Sequence, residues 1–134
     1  MTERMSITEF KRLRRNGQKY SANAVVENGI RFDSKLERDR YLELCQRRQL
    51  GLIDYFLMQV PFRLPGGITY RVDFQVFAPG GVHHSSGRPR IVTQLVTYED
   101  CKGMMTPVSR LKIAQVEELY RVKIQLISRE NIHD

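Results

Sequence analysis

Asp100 and Lys102 lie two residues apart at the end of the strand-like run 91–98. Side chains two apart on a strand share a face, so this carboxylate and this ammonium stand side by side. Together they suit hydrolysis of a phosphate ester: a carboxylate can hold a divalent cation, and a lysine can orient water or offset developing charge. The same pair also fits an exposed cross-face ion pair, contributing under about 1 kcal/mol. Asp73 adds a second acid, on the polar side of the run 68–77, where Ile68, Tyr70, Val72, Phe74 and Val76 alternate with Thr69, Arg71, Asp73, Gln75 and Phe77. Glu37 adds a third, in the first turn of an expected helix. Acids gathered from neighbouring strands repel, and a hard cation such as magnesium, which prefers oxygen ligands, relieves that repulsion. Each acid also has a plain structural role: Glu37 completes a capping box with Ser34, and Asp73 can pair with Arg71 or Lys102. Glu99 points to the face opposite Asp100, which leaves Asp100 as the site acid.

Local signals place these residues on successive elements. Ser6-Ile7-Thr8-Glu9 has the form of a capping box and opens a short helical arm over residues 1–17, crowded with Lys11, Arg12, Arg14 and Arg15. That arm reads equally as a phosphate-binding segment or as a solvated helix docked by Phe10 and Leu13. Asn28-Gly29 between the apolar runs 24–26 and 30–32 predicts a hairpin. Ser34-Lys35-Leu36-Glu37 is a second capping box, opening a helix to about Leu50 that Gly51 terminates, with Tyr41, Leu44 and Cys45 as its apolar stripe. A strand over 53–64, interrupted at Pro61, is joined to the strand 68–77 by the turn Pro65-Gly66-Gly67.

Residues 78–90 are too rich in Gly, Pro and Ser for regular structure and read as an extended, solvated loop, with a nucleic-acid contact through Arg88 and Arg90 as its functional reading. The strand 91–102 stops at Gly103, and Thr106-Pro107 opens a helix over 108–121. On its wheel Val108, Leu111, Val116 and Leu119 form an apolar arc with Lys112 inside it, a lysine that snorkels past the core or aims at a phosphate. A short strand over 122–127 follows.

At 134 residues the chain fits one domain, 18–134, behind the basic arm. No apolar run approaches the roughly 18 residues that a membrane span needs, and the N-terminus lacks a signal-peptide core, so a cytoplasmic protein with no membrane partner is expected. The net charge of +7 favours polyanionic partners, nucleic acid first. Cys45 and Cys101 fit no close-spaced zinc pattern and read as reduced thiols.

The order of the acids is more specific than any one of them. A helix-borne Glu37, a strand Asp73 behind an apolar-aromatic lead, and a strand ending in Asp100-Cys101-Lys102 ahead of a helix resemble the PD-(D/E)XK nuclease superfamily. The chain is closer still to a family of small phage-encoded endonuclease-like proteins of that superfamily. The blocks that carry this likeness are Lys19-Tyr20, Ile30 to Glu37, Gln59-Val60-Pro61-Phe62, Tyr70 to Phe74 and Glu99 to Gly103, with Thr106 and Lys112 behind them. Val72 stands where the superfamily name has Pro, and 78–90 looks like an enlarged turn.

The resemblance implies an α/β (α+β) fold with a restriction-endonuclease-like core, a central mixed β-sheet flanked by helices. It implies a metal-dependent DNA endonuclease, using Mg2+ with Mn2+ able to substitute, in phage DNA recombination, repair or processing in the host cytoplasm. By it, Asp73 and Asp100 ligate the metal, Glu37 ligates it directly or through water, and Lys102 orients the attacking water or stabilises charge on the phosphate. Gln59 becomes a supporting polar group, and Lys35 and Lys112 join the basic residues named above in holding duplex or branched DNA. A homodimer is implied by the superfamily's habit of cutting two strands. The competing expectation is a non-catalytic DNA-binding or protein-interaction module on the same fold.

Overall fold

The computed structural model describes residues 24–134, so the basic arm with Lys11, Arg12, Arg14 and Arg15, and the Lys19-Tyr20 block, lie outside the described residues. The fold is α+β, a mixed central sheet flanked by two helices. The Asn-Gly hairpin forms as expected. β1 (Val25–Glu27) pairs antiparallel with β2 (Ile30–Phe32), and Asn28 and Gly29 take φ of 51° and 76°, the two positive values that a type I′ turn needs. Ser34 then caps α1 (Lys35–Gln49), its hydroxyl accepting the Glu37 N–H at 3.1 Å. α1 ends in a Schellman motif: Gly51, at φ 75°, donates to the Arg48 carbonyl and Leu52 donates to that of Arg47.

The sheet runs in the order β3 (Tyr55–Leu64), β4 (Ile68–Ser85), β5 (Arg88–Cys101), β6 (Ile124–Ile127). β3, β4 and β5 are antiparallel neighbours, and α2 (Pro107–Tyr120) is the crossover that brings β6 back parallel to β5. Thr106 caps α2 by accepting the Ser109 N–H, with Pro107 in the first turn. Among the described residues no helix is long and apolar enough to cross a membrane.

Three expectations are corrected. Pro61 does not interrupt β3, because β3 is an edge strand where a missing N–H can face outward, and Pro61 keeps its place opposite Arg71. The irregular residue is instead Gln59, at φ 54°, skipped between the pairs Met58 with Phe74 and Val60 with Val72. Residues 78–90 are not a loop: β4 and β5 stay paired as far as Ser85 and Arg88, around the two-residue turn Ser86-Gly87 at φ 55° and 74°. A ribbon two strands wide has two free edges, so it accommodates the prolines that would break a central strand.

The third correction concerns α2. It buries Ile113 and Val116 against Phe62, Tyr70 and Val72, while Val108, Leu111 and Leu119 stay exposed and Lys112 half-buried. The Tyr120 ring meets Phe62 edge-on at 4.9 Å, and its hydroxyl donates to the Arg63 carbonyl at 2.7 Å.

One alternating series of β4 feeds two cores. Phe74 and Val76 pack under α1 with Leu36, Tyr41 and Leu44, whereas Tyr70 and Val72 pack under α2 with Ile113 and Val116. The change comes where β4 parts from β5, whose ladder begins only at Phe74 with Glu99. Beneath α1 lies a buried ion pair. Arg40, 2% exposed, donates through Nε and Nη2 to both Glu99 oxygens at 2.8 and 2.6 Å, and through Nη1 to the Ile132 carbonyl. Replacing Arg40 alone by Met should cost about 3–5 kcal/mol, since Glu99 is left buried and unpaired, and adding Glu99→Leu should recover most of that loss. Urea unfolding of the single and double variants checks this; losses that simply add would show that the pair does not act as a unit.

Candidate functional site

The parting of β4 from β5 makes the site. Just before the ladder begins, the Asp73 side chain occupies the place of a strand partner, its Oδ2 accepting the Cys101 backbone N–H at 2.8 Å. Its Oδ1 accepts the Gln59 side-chain amide at 3.2 Å, from the residue of β3 that lies across from it in left-handed backbone. Asp100, 1% exposed on β5, accepts at Oδ2 from the Tyr70 hydroxyl and meets Lys102 Nζ at 3.3 Å. Glu37 comes from the first turn of α1, near enough for its charge to bear on Asp73 and to feel Asp100 and Lys102. Glu99 points the other way, into its pair with Arg40.

Over residues 17–131 the chain matches the family described as "Protein of unknown function (DUF1064)", which is most of its length. The chain belongs to this family. No curated protein and no solved structure matches it. The DUF1064 match takes in every residue of the site, from Glu37 to Lys102, whereas Lys11, Arg12, Arg14 and Arg15 precede it.

Crowding of acids sets the electrostatics of this DUF1064 site. Burial raises Glu37 from 4.5 to about 7, with Asp33 and Asp100 adding to the rise and the Asp33 backbone and Lys102 opposing it. Asp73 is raised well above the ordinary carboxylate range by burial, then by its hydrogen bond with Asp100 and the charges of Asp100 and Glu37, against the Cys101 N–H. Tyr70 is raised by burial and by Asp100, so it remains a proton donor. Burial, followed by the acids around it, also raises the Cys101 thiol, and both cysteines are free thiols.

Among the described residues no three Asp, Glu, His or Cys side chains already stand together as metal ligands would. The hydrogen bonds above hold the acids as they are. The donor set is nonetheless all carboxylate oxygen, and the crowding that drives protons onto Glu37 and Asp73 is relieved equally well by a hard divalent cation, so the residues fit such an ion by chemistry.

The sequence-derived residues Glu37, Asp73, Asp100 and Lys102 are thus brought together, with Gln59 beside them. Lys35 is exposed on the same first turn as Glu37, and Lys112 is half-buried on α2. Arg88 and Arg90 are not at the site: twelve residues of extended strand, at most about 40 Å, separate Arg90 from Lys102. Two contributors were missed. Tyr70 lies in an apolar series, and the signal available was that a buried tyrosine hydroxyl needs an acceptor. Asp33 precedes the cap residue, one turn before Glu37, where its charge bears on that acid.

Glu37 supplies a test by pH. Its folded form holds a proton more tightly than the unfolded chain, so its contribution to stability is full below about 4.5 and is lost as pH rises through about 7. In EDTA, the melting temperature of the wild type should therefore fall relative to Glu37→Gln across that window. Asp39 and Glu43 are lowered by their cationic neighbours and act with the opposite sign, but they are common to both proteins and cancel in the difference. A difference that stays flat with pH would mean that Glu37 ionises as a solvated carboxylate.

Proposed function

We propose that this protein is a metal-dependent DNA endonuclease of the PD-(D/E)XK type, acting on phage DNA in the cytoplasm of a host cell. The observation that carries the reading is the gathering of Glu37, Asp73 and Asp100 from a helix and two strands, with Lys102 against Asp100 and with Glu37 and Asp73 in surroundings that penalise their negative charge. Asp73, Asp100 and Glu37 would hold Mg2+, or Mn2+ in its place. When bound, that ion supplies a water of lowered pKa and a counter-charge for the phosphate oxygens. Tyr70 and Gln59 fix the two strand acids, each by one hydrogen bond. Lys102, half-buried with its ammonium against Asp100, orients the attacking water and balances the charge gathering on the phosphate. Water adds across the phosphodiester, leaving a phosphomonoester on one product and a hydroxyl on the other. One such site cuts one strand at a time, so a concerted double-strand break would call for a second copy of the chain.

Purified protein should cut plasmid or four-way junction DNA only with Mg2+ or Mn2+, and Lys102→Ala should lower the rate by about 100-fold or more while keeping the fold. Inertness toward duplex, single-stranded and branched DNA with both metals would overturn the assignment. DNA binding untouched by Asp73→Asn or EDTA, with no cleavage, would mark a binding module instead.

A further inference from the structure

Beyond the reach of β3, whose ladder with β4 stops at Phe77, β4 and β5 continue as a ribbon paired only with itself. From Ala78 with Leu95 to Ser85 with Arg88 it is about eight residues long, or roughly 27 Å. Three of its properties belong together. All of the chain's acidic residues lie outside it, since none occurs from Ala78 to Thr97, while Arg88 and Arg90 are exposed at its tip. The Ser86-Gly87 turn keeps that tip two residues wide. Val82 and Ile91 are paired across the strands at 59% and 80% exposure, an apolar pair held out in water on the face of the ribbon opposite Arg88 and Arg90.

We propose that the ribbon is an arm that enters a groove of duplex DNA, placing Arg88 and Arg90 on phosphates and the Val82 and Ile91 pair against base edges or sugars. The major groove of B-form DNA is about 12 Å wide and admits a two-stranded ribbon. A ribbon without acids meets phosphates without repulsion, and an apolar pair can contact thymine methyls or wedge between bases. Pairing with the ribbon of a second copy is disfavoured. Pro79 and Pro89 keep their places in the ladder, so each must turn its missing donor to an outer edge, and each edge is a poorer template for another strand.

The proposal rests on the DNA part of the functional reading and adds a footprint. Tip and acid cluster are up to about 40 Å apart along β5, so the arm would hold the duplex on the order of 12 base pairs from the bond being cut. Substrate choice then follows from duplex to one side of the scissile bond, not from the acids.

Binding without turnover separates this proposal from the chemistry. In Ca2+ buffer, the full chain, Arg88→Ala/Arg90→Ala, and a variant with residues 79–94 replaced by Asn-Gly, which joins the partners Ala78 and Leu95 directly, are titrated with duplex DNA at several salt concentrations. We expect the shortened protein to keep its melting temperature and to bind about tenfold or more weakly, and the double alanine variant to lower the salt slope by about 2. Double-stranded RNA of equal length should bind more weakly than DNA, since its major groove is too narrow for the ribbon. Unchanged affinity and salt slope in both variants, equal binding of RNA, or a change in oligomeric state alone would overturn the arm. Arm-dependent binding by a protein that never cuts would retain this proposal and overturn the nuclease.

Discussion

A buried backbone N–H must find an acceptor, and at Cys101 that acceptor is a side chain and not another strand. Because Asp73 answers the Cys101 N–H, β4 can part from β5 at that point without leaving an unmet donor in the protein interior. Much else follows from that substitution. The freed stretch of β4 carries Tyr70 and Val72 to α2, while the paired stretch carries Phe74 and Val76 to α1. The second Asp73 oxygen remains available to Gln59, and the gap between the strands becomes a place where acids gather.

Two adjacent carboxylates on β5 show how the sheet sorts chemistry by face. Glu99 and Asp100 are both buried, yet Glu99 is neutralised by a bidentate arginine under α1, whereas Asp100 meets a tyrosine hydroxyl, a single lysine and other acids. Glu99 is locked into the fold. Asp100 is held by one hydroxyl and one ammonium on the side of the strand where Asp73 and Glu37 also lie.

Much of this could be read from residue order. The Ser34 capping box and the Asn-Gly hairpin announced themselves because their signals are local: a hydroxyl three residues from the N–H that it accepts, and two positive φ values that Asn and Gly tolerate. The alternation that separated Asp100 from Glu99 was equally local. What escaped depended on distant partners. The left-handed backbone of Gln59 accompanies a contact fourteen residues away, with Asp73, and nothing in its neighbours foretells it. Arg40 resembles any helix arginine until Glu99 arrives from 59 residues further on. The face that α2 buries follows from the distant residues Phe62, Tyr70 and Val72 that Ile113 and Val116 meet, not from the count of apolar residues around its wheel. The ribbon was misread because Gly and Pro were weighed as they would be in a central strand.

Cys101 gives the site a dependence that its acids and lysine alone would not suggest. Its amide fixes Asp73 while its side chain is packed among the residues beneath α1, so one residue belongs to both the acid cluster and the greasy interior. Packing in that interior and the strand end on which Asp100 and Lys102 ride are thus joined through one residue. Family members that diverge in these packing residues would be expected to change them in concert. Grafting the acids and the lysine onto another sheet would carry over the functional groups without the packing that keeps them in register.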